Sequence, residues 1–262
     1  MLNQIAAIHG VMAAPAPEPT PVAGYYVWLD ASDTSTITKS GSAVSQWTDK
    51  SANAFAFTQA TAAYKPDSGI DTQNSKNVLT WGTSDRLVST AAASTWTFLH
   101  YNTGTTFIAF KQTNGANSAA LMQTNGASTV QTGFYIWHQA TSKLQHLVSY
   151  GSSGNSAVNN STANNALDTN FTYLTIISDP QNGTAANRSD IRVKQGSAIK
   201  NNVQTNSPSN LAPTNTLSIG DYVDGGGVAL SGTIGEIIIY NSILSAGDIL
   251  SNQQYLATKW GV

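Results

Sequence analysis

From Tyr25 onward the chain carries short runs in which apolar, β-branched and aromatic residues cluster, each closed by Gly, Asn, Ser or Asp. Such runs read as strands. The first is Tyr25–Leu29, ended by Asp30. Further strands are expected over Asn53–Gln59, Asn77–Trp81, Thr105–Phe110, Ala119–Gln123, Gly133–His138 and Leu144–Tyr150. The same pattern returns over Thr172–Ser178, Asp190–Gln195, Thr216–Ile219 and Gly235–Tyr240. Turn signals such as Gly151-Ser152-Ser153-Gly154-Asn155 and Gln181-Asn182-Gly183 separate them. Many short strands with regular turns indicate an all-β sandwich or barrel. No repeat of fixed period appears, which argues against a propeller or solenoid.

Two segments break this rhythm. The last 18 residues read as a helix. Ser245-Ala246-Gly247-Asp248 has the form of a capping box, Ile249, Gln253, Leu256 and Trp260 share one stripe with Leu250 beside it, and Gly261 supplies the stop. The stripe is expected to press on the sandwich rim. At the other end, Leu2, Ile5, Ile8 and Met12 have the spacing of a short amphipathic helix, weakened by Gly10. Pro15, Pro17, Pro19 and Pro21 then impose an extended strut. Residues 1–24 are therefore expected to be an anchoring arm with a Pro-rich spacer, and 25–262 one β-sandwich domain. No Lys or Arg precedes the arm's apolar part, so it is read as an uncleaved arm rather than a secretory signal.

Composition narrows the partners. Charged residues make up only 10% of the 262, and the net charge is −2. Ser, Thr, Asn and Gln must carry the solubility. No basic cluster is present to neutralise phosphates, so nucleic acid is not an expected partner. No apolar run is long enough for a membrane-spanning helix. The absence of cysteine excludes a disulfide scaffold, a thiolate metal site and a Cys nucleophile.

Tyr26-Val27-Trp28-Leu29-Asp30-Ala31-Ser32-Asp33 resembles the first strand of laminin-G-like, concanavalin A-type domains of phage virion and secreted bacterial proteins. Ser45-Gln46-Trp47-Thr48-Asp49-Lys50-Ser51 is similar to their next element. Gly232–Asn241 resembles their closing strand, and Leu244–Val262 their closing helix. The resemblance brackets residues 25–262, and no motif aligns over roughly 85–215. It implies a two-sheet antiparallel jelly roll whose first and last strands pair side by side. Trp28, Trp47 and Trp260 are expected to lock strands and helix to one core. The arm resembles the N-termini of phage tail and head appendage proteins, in which a short peptide plugs a domain into the particle. That implies a virion location, with other virion proteins and copies of the same chain as partners.

The candidate chemistry favours binding over catalysis. Glycoside hydrolysis on this fold needs two carboxylates, and the family's Glu-x-Asp-x-x-Glu pattern is absent. The only glutamates are Glu18 and Glu236, and Glu236 is read as a structural strand carboxylate, because no acidic partner lies near it in sequence. His9, His100, His138 and His146 show no metal-site spacing. No enzymatic activity and no required cofactor are expected.

Asp221 and Asp224, followed by Gly225-Gly226-Gly227, have oxygen ligands to offer Ca²⁺, with a plain flexible turn as the alternative. Sugar binding needs an aromatic platform with polar partners. Tyr135, Trp137, His138 and Tyr222 are the candidates, with Asp221 beside them and Trp96–Tyr101 as a second aromatic cluster. Aromatics in a sandwich core are the alternative reading. Leu2, Ile5, Ile8 and Met12 are the candidate anchor to a partner. The expected function is a virion appendage or decoration protein with a lectin-like head that meets a host surface glycan. The alternatives are a carbohydrate-binding adhesin and a glycan hydrolase.

Overall fold

The computed structural model describes residues 19–113, 119–125, 132–139, 142–150, 156–167, 169–223 and 228–262. The first half contains β1 (Val27–Asp30), β2 (Ile37–Ser40), β3 (Ala43–Thr48), β4 (Ala56–Thr58), β5 (Asp67–Gln73), β6 (Lys76–Trp81) and β7 (Leu87–Ser89), then a short helix α1 (Phe98–Tyr101). It is followed by β8 (Gly104–Gln112), β9 (Ala119–Gln123), β10 (Thr132–Gln139), β11 (Lys143–Tyr150) and β12 (Ser156–Ser161). The chain ends with β13 (Thr172–Ser178), β14 (Ser189–Val193), β15 (Ser218–Ile219), β16 (Gly232–Tyr240) and helix α2 (Ala246–Trp260).

One hydrogen-bonded path runs β12-β11-β10-β9-β15-β7-β4-β3-β5-β6-β16-β8-β13-β14, with β2 on β3 and β1 on β16. The strand pairs along it are antiparallel. A single bridge, Ala43 with Asp67, joins β3 to β5. The path folds back there, because residues from both halves meet in one core. Val44, Trp47, Phe57, Met122, Phe134 and Ile136 come from one half, and Leu29, Leu79, Ile108, Phe110, Leu174 and Ile237 from the other. The expected all-β sandwich is thus formed. β1 pairs with β16 in the register Val27–Ile239 to Asp30–Glu236, which places the first strand beside the last.

The tryptophans do not share one core, contrary to expectation. Trp47 lies between the sheets. Trp28 and Trp260 belong to a second cluster with Phe107, Tyr173, Ile238, Tyr240 and Leu256. The reason lies in β16, which is buried along its whole length. Ile237 and Ile239 point to the inter-sheet core, and Ile238 points the other way. A strand buried on both faces reads as a continuous apolar run, and α2 supplies the second cover. The helix therefore lies on a sheet face rather than on the rim. Gly235 permits the close approach, since a Cβ there would sit 2.8 Å from the Trp260 ring.

The ends of α2 are fixed from both sides. The Asp248 amide donates to Ser245 Oγ at 3.1 Å, and that hydroxyl donates to Asp248 Oδ2 at 2.7 Å. The carboxylate reaches the hydroxyl of the cap rather than its amide. At the other end, Gly261 adopts φ 68°, and Gln73 and Asn74, from the β5–β6 hairpin, donate to the carbonyls of Trp260 and Lys259. The stripe residues Ile249, Gln253, Leu256 and Trp260 are buried, whereas Leu250 is 44% exposed. Before β1, the Val22 amide donates to Asn252 Oδ1 at 2.9 Å, and Tyr240 donates to the Val22 carbonyl at 2.6 Å. The last residues of the proline strut are thus held against α2 and β16. Leu2, Ile5, Ile8 and Met12 lie outside the described residues.

Candidate functional site

Strand alternation sorts β10 into two rows. Phe134, Ile136 and His138 are buried. Phe134 and Ile136 belong to the inter-sheet core. Tyr135 and Trp137 are half-buried and stand on the opposite face. His138 therefore does not join the aromatic platform. Its even spacing from Phe134 and Ile136 turns it inward, where it is 1% exposed. A bulge between β9 and β10 falls at Ile136/Trp137, and bulges re-aim side chains.

The Tyr135 and Trp137 rings meet at 5.0 Å and 75°. Tyr222 closes on Trp137 from another part of the chain, at 6.3 Å and 88°. These are edge-to-face contacts of the kind aromatic pairs favour. Burial, with the nearby Tyr222 as a second cause, pushes the Tyr135 hydroxyl well above its ordinary pKa. It remains a hydrogen-bond donor at any physiological pH.

The loop that delivers Tyr222 is built around Gly220 and Asp221. Gly220 has φ 91°, and a Cβ there would lie 2.4 Å from the Trp81 ring. Ser218 donates to the Asp221 carbonyl, and Asp221 Oδ1 accepts from the amides of Tyr222 and Val228. Asp221 is 1% exposed, so this oxygen shapes the loop instead of facing solvent. Asp224, its expected partner on Ca²⁺, lies outside the described residues. Among the described residues no group of three His, Asp or Glu side chains gathers as a metal-ligand set.

Amides flank the aromatic rings. Gln139 donates to Gln145 Oε1 at 2.6 Å, and Gln145 donates to Asn159 Oδ1 at 2.6 Å. This ladder crosses β10, β11 and β12. On the other side, Gln123 of β9 stands opposite both Tyr135 and Ser218. Antiparallel partners share a face, so Gln145 and Asn159 stand on the side of Trp137 and Tyr135, whereas Gln123 is fully buried. The amides are the part that the sequence reading missed. The second aromatic cluster does not contribute. Trp96 is fully buried and packs with Tyr26, Phe55 and Phe57.

The other polar cluster lies beneath α2. Glu236 is fully buried. Its Oε1 accepts from Trp28 Nε1 at 2.6 Å and from the Tyr255 hydroxyl at 2.5 Å. Its Oε2 accepts from Trp260 Nε1 at 2.9 Å and pairs with Lys259 at 3.0 Å. Lys259 also pairs with Asp30 at 2.7 Å, and Lys50 joins Asp30 to Asp33. Burial raises the Glu236 carboxyl above its ordinary pKa, against the pull of Lys259. Burial works the same way on Asp30, but there Lys259 and the hydrogen bonds override it and the pKa falls. A carboxylate pair therefore exists in space, where the sequence showed Glu236 alone. Each Glu236 oxygen accepts from two donors. A cleft of about 480 Å³ opens beside this cluster, lined by Thr20, Trp28, Asp30, Lys50, Asn77 and Lys259.

No protein-family profile matches the chain, and no curated protein matches it in sequence. Solved structures are similar to it in fold. Trypanosoma rangeli sialidase in complex with 2,3-difluorosialic acid aligns with a TM-score of 0.58 at 12% identity, over 91% of this chain and 34% of that one. The W1252A mutant of HCR D/C VPI 5995 aligns with a TM-score of 0.57 at 12% identity, over 89% and 52%. A leech intramolecular trans-sialidase complexed with 2,7-anhydro-Neu5Ac aligns with a TM-score of 0.50 at 13% identity, over 68% and 27%. The chain spans between about a quarter and about half of the length of these proteins. At such identities the likeness shows the β-sandwich fold alone.

Proposed function

We propose that this chain is a non-catalytic, carbohydrate-binding β-sandwich whose ligand lies on the face carrying Tyr135 and Trp137. The observation that carries the reading is their outward placement, with Tyr222 edge-on and the Gln139–Gln145–Asn159 amide ladder on one side. Sugars present apolar C–H faces and rings of hydroxyls. An aromatic plane meets the first, and amides acting as both donor and acceptor meet the second. The saturation of Glu236 supports binding without turnover.

We further propose that the module is displayed on a virion, attached through residues 1–24. Two features support this: the resemblance of segments 25–51 and 232–262 to phage virion domains, and the fixed exit of the strut at Val22. Ca²⁺ is not needed for the aromatic and amide contacts.

A saccharide array probed with the wild type and with Trp137→Ala tests the binding reading. Signals that vanish in the variant support it. An array without signals, from protein shown to be folded by circular dichroism, overturns it. Particle association of the full chain, compared with a chain starting at Tyr25, tests the attachment. Equal association of the two overturns that part.

A further inference from the structure

The chain has three arginines, Arg86, Arg188 and Arg192, and one of them is buried without a counter-charge. Arg192 pairs with Asp190 at 2.8 Å, and Arg86 lies over the Tyr64 ring at 4.1 Å. Arg188 is only 7% exposed, and among the described residues no carboxylate stands within ion-pair distance of it. Burying a charge is costly unless it is paired and hydrogen-bonded.

Backbone carbonyls meet part of that cost. Arg188 ends the turn Ala185–Arg188, just before β14. Its Nε donates to the Asn182 carbonyl at 2.8 Å. Its Nη1 donates to the carbonyls of Asn206 at 2.6 Å and Ala157 at 3.3 Å. These come from the β13–β14 loop, the segment between β14 and β15, and β12, so the side chain is clamped from three directions. A guanidinium has five N–H groups. The carbonyls take three, and the two on Nη2 have no partner among the described residues. Nη2 is not one of the unpaired atoms sealed from solvent. The opening that Arg188 lines is a cavity of about 250 Å³.

The other walls suit an anion. Tyr101, Gln181, Ser207 and Pro208 complete the lining, which brings hydroxyl and amide groups and no acid. Gln181 Nε2 donates to the Tyr101 carbonyl at 2.8 Å and ties the end of α1 to the β13–β14 loop. Asn206 Nδ2 donates to the Ser156 carbonyl at 3.3 Å, which holds the third wall on β12. Walls fixed in advance lower the ordering cost of binding.

Charge selects the class of ligand. One guanidinium offsets one negative charge, and a carboxylate carries one. Bonds from Arg to a carboxylate are charge-assisted and strong. A dianion such as sulfate would leave one charge over, because no second Lys or Arg lines the cavity. The volume is several times the ~30 Å³ that a water occupies, which leaves room for a small body attached to the carboxylate.

We infer that this cavity binds a small carboxylate, held by the two Nη2 N–H groups of Arg188. The site lies at the β12 edge and shares no lining residue with the Tyr135–Trp137 face, so it stands independently of the carbohydrate-binding reading.

Proton–nitrogen NMR of the full chain tests this, since three arginines give three Nε–H signals. Arg86→Gln and Arg192→Gln each remove one, which assigns the Arg188 signal with its clamp left intact. The probes are propionate and benzoate, their uncharged amides, sodium sulfate, and sodium chloride at matched ionic strength. Both carboxylates are expected to shift the Arg188 signal saturably, with Kd of about 10 mM or lower. The Arg86 and Arg192 signals should move no more than they do in sodium chloride. The amides should leave the Arg188 signal in place, and sulfate should bind at least about fivefold more weakly than benzoate. Arg188→Lys, where it folds, should weaken benzoate binding about tenfold or more.

Absence of a saturable Arg188 shift with either carboxylate up to about 50 mM overturns the inference. Equal shifts of all three signals, which mark salt screening alone, do the same. Shifts as large with the amides, or tighter binding of sulfate than of benzoate, overturn the assignment of a carboxylate ligand.

Discussion

Asp30 and Glu236 stand opposite each other in the β1–β16 ladder, two carboxylates with side chains no more than 5% exposed. The Lys259 ammonium reaches both, at 2.7 and 3.0 Å. Removing the buried cation that both carboxylates share leaves Glu236 without a counter-charge. Lys259→Met should therefore destabilise the fold by about 3–5 kcal/mol. Lys50→Met should cost under about 1 kcal/mol, because Lys50 is 23% exposed and partly screened. Urea midpoints of the two variants check this. Equal shifts would show that Lys259 does not hold the pair.

Acid should weaken the fold through His146. Its Nδ1 lies 2.9 Å from the Ser189 hydroxyl, which itself accepts from Asn160 and so has its proton free for the ring. Burial lowers the His146 pKa to about 4. The unfolded chain takes up a proton near pH 6.5, whereas the folded chain resists until about pH 4. Stability is thus complete above about 6.5 and declines as pH falls towards 4, by up to about 3 kcal/mol. His146→Gln should flatten this part of the stability curve, measured by urea unfolding at stepped pH. Parallel curves for wild type and variant would refute the assignment.

Trp137 should report ligand. Trp28, Trp47, Trp81, Trp96 and Trp260 are all 7% exposed or less, and only Trp137 among the six is half-buried. Acrylamide should quench mainly Trp137, and a bound saccharide should protect it. Trp137→Phe should remove the quenchable emission with a stability change under about 1 kcal/mol. Quenching that persists in this variant would place the accessible indole elsewhere.

The strut contributes to the fold. A chain starting at Pro19 keeps the Val22 contacts to Asn252 and Tyr240, and one starting at Gly24 loses both. The shorter chain should be less stable by about 1–2 kcal/mol. Identical melting temperatures would mean that these bonds contribute nothing.

The strand rhythm was legible where the runs are apolar. β9 and β13 fall at Ala119–Gln123 and Thr172–Ser178, as expected from sequence. The rhythm failed where strands are polar: β2, β5 and β12 carry Ser, Thr, Asn, Asp or Lys at most positions, and propensity gives them no signal. Among the site candidates, Tyr135 and Trp137 could be chosen for residue type, yet the same logic admitted His138, because face is set by register rather than by composition. The amide ladder escaped notice because Gln and Asn are common throughout the chain. The acidic partner of Glu236 escaped because it comes from the first strand. Trp28, two residues from Asp30, already lies 208 residues from Glu236 along the chain.

The pairing of β1 with β16 also governs how the chain comes to be folded. During synthesis β1 emerges early and has no strand partner until β16 leaves the ribosome. Its edge then stands open, a hazard for association with other nascent chains. Contacts so far apart in sequence make folding slow. A product cut short before β16 lacks the partner of β1, the cover supplied by α2 and the Lys259 counter-charge together. Only a chain that includes β16 and α2 can close both cores, so copies cut short before them should be diverted to proteolysis.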